Sequence, residues 1–289
     1  MLHIAITLKN WIARKGVLAC GCVLILMQWP AAAESIPESL DAGFRQMYNM
    51  DFSAAHKTFE RWQVLHPDDP LGAASNAAAY LFAEFERLRI LDMDLFADDH
   101  RLEKLGKLLP DPNVKVAFET ELGKANTRAT TILAELPDDP TALFARVLTD
   151  GLRGDYAALI EKRKTAGLDF LKSSRAFAER LIAIDPAYHD AYLAVGIENY
   201  LLGLRSAPMR WMLRLSGAQT SKDKGIDNLR VTAEKGRYLA PYARLLLAIV
   251  AVRNQDRSGA VKLLSDLAQE FPHNRLYRVE LARWNSSDR

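Results

Sequence analysis

The chain has 289 residues, 49% of them hydrophobic and 26% charged, with 15 glycines, a composition that supports a packed core and excludes disorder. Its 38 basic and 36 acidic residues give a formal charge of +2, but Lys9, Arg14 and Lys15 lie in the segment 1–33. Without them the balance is 38 − 3 = 35 against 36, or −1. No basic face remains to bind nucleic acid.

Positions 1–33 read as a secretory signal peptide. Lys9, Arg14 and Lys15 form the positive segment and Val17 to Met27 the apolar run. Ala31-Ala32-Ala33 supplies the A-x-A site before Glu34. The run is shorter than the ~20 residues that span a bilayer. Retention as an uncleaved anchor is the competing reading, and a lipoprotein site at Cys20 or Cys22 fits less well. Both cysteines leave with this segment. The mature chain, 34–289, is therefore expected to carry no thiol and to reside in the periplasm.

Beyond it, one phrase recurs: LHPDDP at 65–70 and LPDDP at 136–140. Looser echoes are LPDP at 109–112, IDPAYHDA at 184–191 and EFPHN at 270–274. Each ends an apolar helical pattern, stops it with proline, and offers Asp or Asn to cap the next helix. Gly43, Ala55 and Phe59 precede Pro67 at the same three offsets at which Ala248, Ala260 and Leu264 precede Pro272. Small residues let two helices approach, and the bulky one fills the gap between them. Asp51 and Asp256 stand where second helices should be capped. The expected fold is all-α, with about eleven or twelve helices arranged as hairpins, judged by helical periodicity.

This pattern resembles the tetratricopeptide repeat (TPR), whose unit is about 34 residues. His189 to Gly203 supplies another first helix in that motif. The interval from Pro67 to Pro137 is close to two units. The interval from Pro137 to Pro186 exceeds one unit, and the excess is assigned to an overlong charged helix from Asp155 to Ile184. The interval from Pro186 to Pro272 exceeds two units, and its excess is assigned to an insert at 203–220 between the helices of one repeat. Around that insert the residues Gly196, Tyr200, Leu201 and Gly203, then Pro208 and Gly217, then Lys222, Gly225, Ile226 and Leu229 resemble a divergent TPR family. That family has exported bacterial members and eukaryotic relatives, the inclusion-body clearance proteins of the mitochondrial surface. The resemblance implies degenerate TPR-like hairpins forming a superhelix or compact α-α bundle, and it carries over no catalytic residue.

The densest polar cluster is Asp92, Asp94, Asp98, Asp99 and His100. It lacks the glycine turn and distal Glu of a calcium loop, and Asp98 and Asp99 fit helix capping better. His56, His66, His189 and His273 are scattered. HExxH, G-x-S-x-G, P-loop and Rossmann patterns do not occur. No metal, no cofactor and no catalysis are expected.

The TPR resemblance implies that first-helix residues line an inner groove, here Phe44, Met47, Tyr48, Phe82, Phe144, Ile197 and Tyr200. The lining is apolar, so it either binds an apolar partner or is filled from within; filling is favoured, because large exposed apolar patches are uncommon. The insert at 208–215 reads as a two-turn amphipathic helix, with Arg210 and Arg214 on one face and Trp211 among the apolar residues opposite. It either plugs the repeats or docks on a protein partner or, peripherally, a membrane surface. The expected role is a non-catalytic periplasmic scaffold for a protein partner, in envelope assembly. The alternative is an enzyme, or an apolar ligand- or lipid-binding protein, built in a helical cavity.

Overall fold

The computed structural model describes residues 39–92, 108–204 and 221–286. The segment read as a signal peptide, most of the acidic cluster and the insert residues Arg210, Trp211 and Arg214 lie outside the described residues. Among the described residues there are eleven α-helices and no strand. They are α1 (Leu40–Tyr48), α2 (Phe52–Leu65), α3 (Pro70–Arg87), α4 (Pro112–Glu135), α5 (Pro140–Asp155), α6 (Lys164–Ile184), α7 (Tyr192–Gly203), α8 (Lys222–Lys235), α9 (Ala240–Arg253), α10 (Arg257–Glu270) and α11 (Arg275–Ser286). Consecutive helices pack pairwise as five hairpins, α1–α2 through α9–α10, and α11 follows the last.

The proline phrases build the boundaries between hairpins. The residues before Pro67, Pro137, Pro186 and Pro272 share one backbone conformation, φ −121° to −133° and ψ 69° to 89°. The proline ring forces each out of the helical region. Asp69 and Asp139 then accept N–H bonds from Leu71 and Ala142 at 2.8 and 2.7 Å, and Pro70 and Pro140 enter the first helical turn. The LPDP phrase does the same at the start of α4, a second helix rather than a first. Within hairpins α1–α2 and α9–α10, the turns Asn49-Met50-Asp51 and Asn254-Gln255-Asp256 are alike. Met50 and Gln255 take φ 63° and 60°, and Asp51 and Asp256 cap the second helix.

The boundary before α9 has Pro241 in the first helical turn but no stop proline after α8, and Asp190 supplies the missing cap. This buried carboxylate, far away in sequence, accepts the N–H groups of Arg237, Tyr238 and Leu239. It caps α9, which has no side-chain cap of its own. Burial pushes the Asp190 carboxyl up, while the three donors pull it down.

Between Pro67 and Pro137 the described residues form α3 and α4, which pack together, and residues 93–107 lie outside the described residues. One expectation from spacing is corrected. The overlong helix from Asp155 to Ile184 is not continuous. A π-helical turn, Tyr156–Ile160, follows α5, and Lys162 at φ 59° breaks the chain before α6. The widened turn and the left-handed residue reset the direction of α6 without proline or glycine.

Close approach of helices sets the packing. A Cβ on Gly43 would lie 2.3 Å from the Phe59 ring, so the small and bulky residues of that spacing do meet. At the α7–α8 crossing, a Cβ on Gly225 would meet the Tyr200 backbone nitrogen at 2.5 Å. Residues 205–220 therefore belong to the connection of a hairpin whose two helices touch at their backbones. Gly225→Ala should destabilise the protein by about 3 kcal/mol, because backbone cannot yield as a side-chain tip can. Gly123→Ala, exposed on α4 with no neighbour within 4 Å, should stabilise by about 0.5–1 kcal/mol from helix propensity. Denaturant unfolding of the two variants measures both.

The first helix meets the end of the chain. Phe44 stacks on Tyr238 at 5.0 Å and Tyr48 packs on Phe271 at 5.7 Å. Asp41 pairs with Arg237 and Arg45 with Glu270. The Asn274 amide donates to the Tyr48 carbonyl at 2.8 Å, and His273 N–H donates to the Asn49 side chain at 3.0 Å.

Candidate functional site

The first helices of the hairpins turn their apolar faces toward one another. There they enclose a cavity of about 60 Å³ between α1, α3, α5, α6, α7 and α9. At ~10–15 Å³ for each water centre, it has room for about four waters or a small organic group. Phe44, Met47, Tyr48, Phe82 and Ile197, all expected in the inner groove, line it. Phe44, Met47 and Tyr48 are buried, so the inner face is largely filled from within. The filling comes from the other hairpins, which supply Leu148, Leu152, Leu193 and Leu239.

Two expected groove residues lie elsewhere. Phe144 is fully buried and packs between Tyr188 and Tyr238, with centroids at 4.9 and 6.2 Å. Tyr200 is buried at the α7–α8 crossing, where the Lys222 ammonium lies 5.9 Å from its ring. Phe144 is consumed by aromatic packing against other hairpin ends and Tyr200 by the crossing within its own hairpin, which the proline offsets do not resolve.

Of the polar part of the cavity, only Tyr48 is among the expected positions. Asp155, Ser174, Tyr48 and Tyr242 join the apolar lining. Ser174 is committed, its hydroxyl donating to the Val147 carbonyl at 2.8 Å. The Tyr242 hydroxyl donates to Asp155 at 3.5 Å, a long bond. The Tyr48 hydroxyl is buried and has no hydrogen-bond partner among the described residues. Phe82 sits between the two tyrosines, edge-on to each, at 6.0 and 5.2 Å. By spacing, Asp155 reads as the start of a charged helix. The signal that points inward is its register: Leu148, Gly151, Leu152 and Asp155 fall at i, i+3, i+4 and i+7, one face of α5.

Burial pushes the Asp155 carboxyl up to about 7, and the Tyr242 hydrogen bond pulls weakly the other way. Burial also holds the Tyr48 and Tyr242 phenols well above their usual range, so both stay neutral. No group of three or more His, Cys, Asp or Glu is placed to hold a metal ion among the described residues. A second buried polar cluster joins α6 to α7. There Arg175 donates to Glu179, Glu198 and Asn199 at 2.7–3.2 Å. Its guanidinium is spread over three acceptors and serves packing.

Comparison of the chain with family models, with curated proteins and with solved structures finds no match.

The carboxyl shift has a measurable sign. Asp155 holds its proton more tightly in the folded state than at the unfolded value of 3.8. Its contribution is therefore full at low pH and is lost as pH rises from about 4 to about 7, by as much as about 4 kcal/mol. Asp155→Asn, which cannot ionise, should melt close to the parent at low pH and clearly above it at pH values past the carboxyl's titration. Paired thermal melts across that range check this. A constant difference between the two proteins would contradict it.

Proposed function

We propose that the chain is an exported, non-catalytic scaffold of degenerate TPR-like hairpins that binds a protein partner in the periplasm through its outer edge rather than its inner face. The observation that carries this reading is a repeated exposure. Leu65, Leu136 and Ile184 each stand one or two positions before a boundary proline, at the end of a second helix, and are 40%, 61% and 44% exposed. Phe271, the apolar residue before the fourth boundary proline, is 1% exposed because Tyr48 and Arg45 of α1 cover it. One such helix end thus has an apolar and cationic cover, and three stand open. Single exposed apolar residues need no explanation; an apolar residue left open at the end of the second helix in three successive hairpins does.

One polar link lies at such an end: Arg180 of α6 donates to Asp138 beside Leu136, while Gln63 near the end of α2 donates to Glu121 midway along α4. An apolar row spaced by charged groups suits a partner helix or extended segment. Envelope assembly is the setting that an export signal and a partner-binding edge would suit. No described helix is long and apolar enough to cross a membrane.

Two measurements test the proposal. Mass spectrometry of the native protein should find an N-terminus at or near Glu34, and an intact Met1 terminus in the membrane fraction would refute export. The triple variant Leu65→Ser, Leu136→Ser, Ile184→Ser should change stability by no more than about 0.5 kcal/mol per site, yet lose the partner that the parent retains on affinity purification from the periplasm. An unchanged partner set would refute the edge.

A further inference from the structure

We infer that the central cavity is a binding site for a small primary amine, whose ammonium pairs with Asp155 and whose short alkyl body fills the apolar remainder. The inference goes beyond the scaffold reading and does not rest on it.

The geometry selects the charge. Asp155 is deep among six helices yet keeps some accessible surface, and the cavity it lines is where that surface lies. Its one hydrogen bond among the described residues is the long one from Tyr242. The polar groups that line the cavity with it are the Tyr242 phenol from α9, the Tyr48 phenol from α1 and the Ser174 hydroxyl from α6, which is turned to Val147. The described lining holds no Lys, Arg or His. The basic residue nearest in sequence, Arg153, is directed away to Glu119 and the Phe170 ring. A carboxylate so placed gains most from a ligand that brings its own positive charge and N–H donors. An anionic ligand would meet repulsion, and a neutral one would leave the carboxylate as poorly solvated as before.

The geometry also limits size and shape. Phe82, Leu152, Leu171 and Ile197 supply the apolar wall, and 60 Å³ admits a short chain but not a lipid tail. Burial raises the Asp155 carboxyl into the neutral range, so the site charges as pH rises through about 7. The two phenols, held above their usual range, do not titrate there.

The test uses the mature protein and three isosteric probes: butylammonium, butan-1-ol and butyrate. Ligand-observed NMR titration gives each affinity. Above the titration of Asp155, butylammonium should bind about tenfold or more tighter than butan-1-ol, the scale of one charge-assisted contact, and butyrate weakest. Below it, the preference should shrink toward parity as the carboxyl takes up its proton. Asp155→Asn should erase the preference at every pH while still admitting butan-1-ol, and Tyr242→Phe, which removes the donor that lowers the carboxyl, should move the onset of the preference to higher pH. Should Asp155→Asn fail to fold, the pH dependence of the parent and the Tyr242→Phe series decide. Equal affinity for amine and alcohol in the parent, a preference that survives Asp155→Asn, or no binding by any probe up to about 50 mM would overturn the site.

Discussion

The architecture depends on how the first helix is covered. α1 has nine residues, too few to stand as a helix in water without packing. Its buried side, Leu40, Gly43, Phe44, Met47 and Tyr48, is almost continuous. Phe59 of α2 reaches only one part of it, through the space at Gly43. The rest is met by Phe82 of α3 and by Tyr238, Phe271 and Asn274 from the far end of the chain. At about 1.5–3 kcal/mol for each large side chain buried, that distant contact outweighs the surface ion pairs beside it, worth at most about 1 kcal/mol each. The same contact turns the inner face into an interior, and so makes a cavity where an open stack would have a groove.

What can be read from the sequence is local. Proline stops, Asp caps and the Gly43, Ala55, Phe59 spacing each act within a hairpin, and each stands where its chemistry requires. The polar contacts of closure carry no local signature: Asn49 and His273 look like turn residues, and their pairing is visible only across the length of the chain. Asp190 is deceptive for the same reason, since a capping carboxylate normally serves the helix beside it, and this one serves α9. The break at Lys162 is silent in the sequence because neither proline nor glycine marks it. Five of the seven groove positions line the cavity because register alone places them. Phe144 departs because Tyr188 and Tyr238 claim its ring, and Tyr200 because the crossing with α8 does.

The buried polar groups divide by what satisfies them. Asp190 has three backbone donors, and Arg175 has carboxylates on two helices. These are structural charges, each with its desolvation largely offset by hydrogen bonds. Asp155 differs in having one weak donor and an apolar wall. Folding stability alone would be served better by a neutral residue at that position.

Closure also constrains the order in which this chain can fold. The N-terminal hairpin is made first, but Tyr238, Phe271 and Asn274 lie near the opposite end of the sequence from Phe44 and Tyr48. Until they arrive, Phe44 and Tyr48 have only Phe59 of α2 and Phe82 of α3 as aromatic partners beyond α1. Contacts of such separation form late and slowly, because a long loop must close before they return any free energy. Intermediate hairpins can nucleate independently at their proline boundaries. Completion is a single terminal event, with an aggregation-prone surface exposed until it occurs. The protein thus combines the modular assembly of a repeat array with the end-to-end dependence of a globular domain, and a chain cut short before α9 would lack the lid for its own beginning.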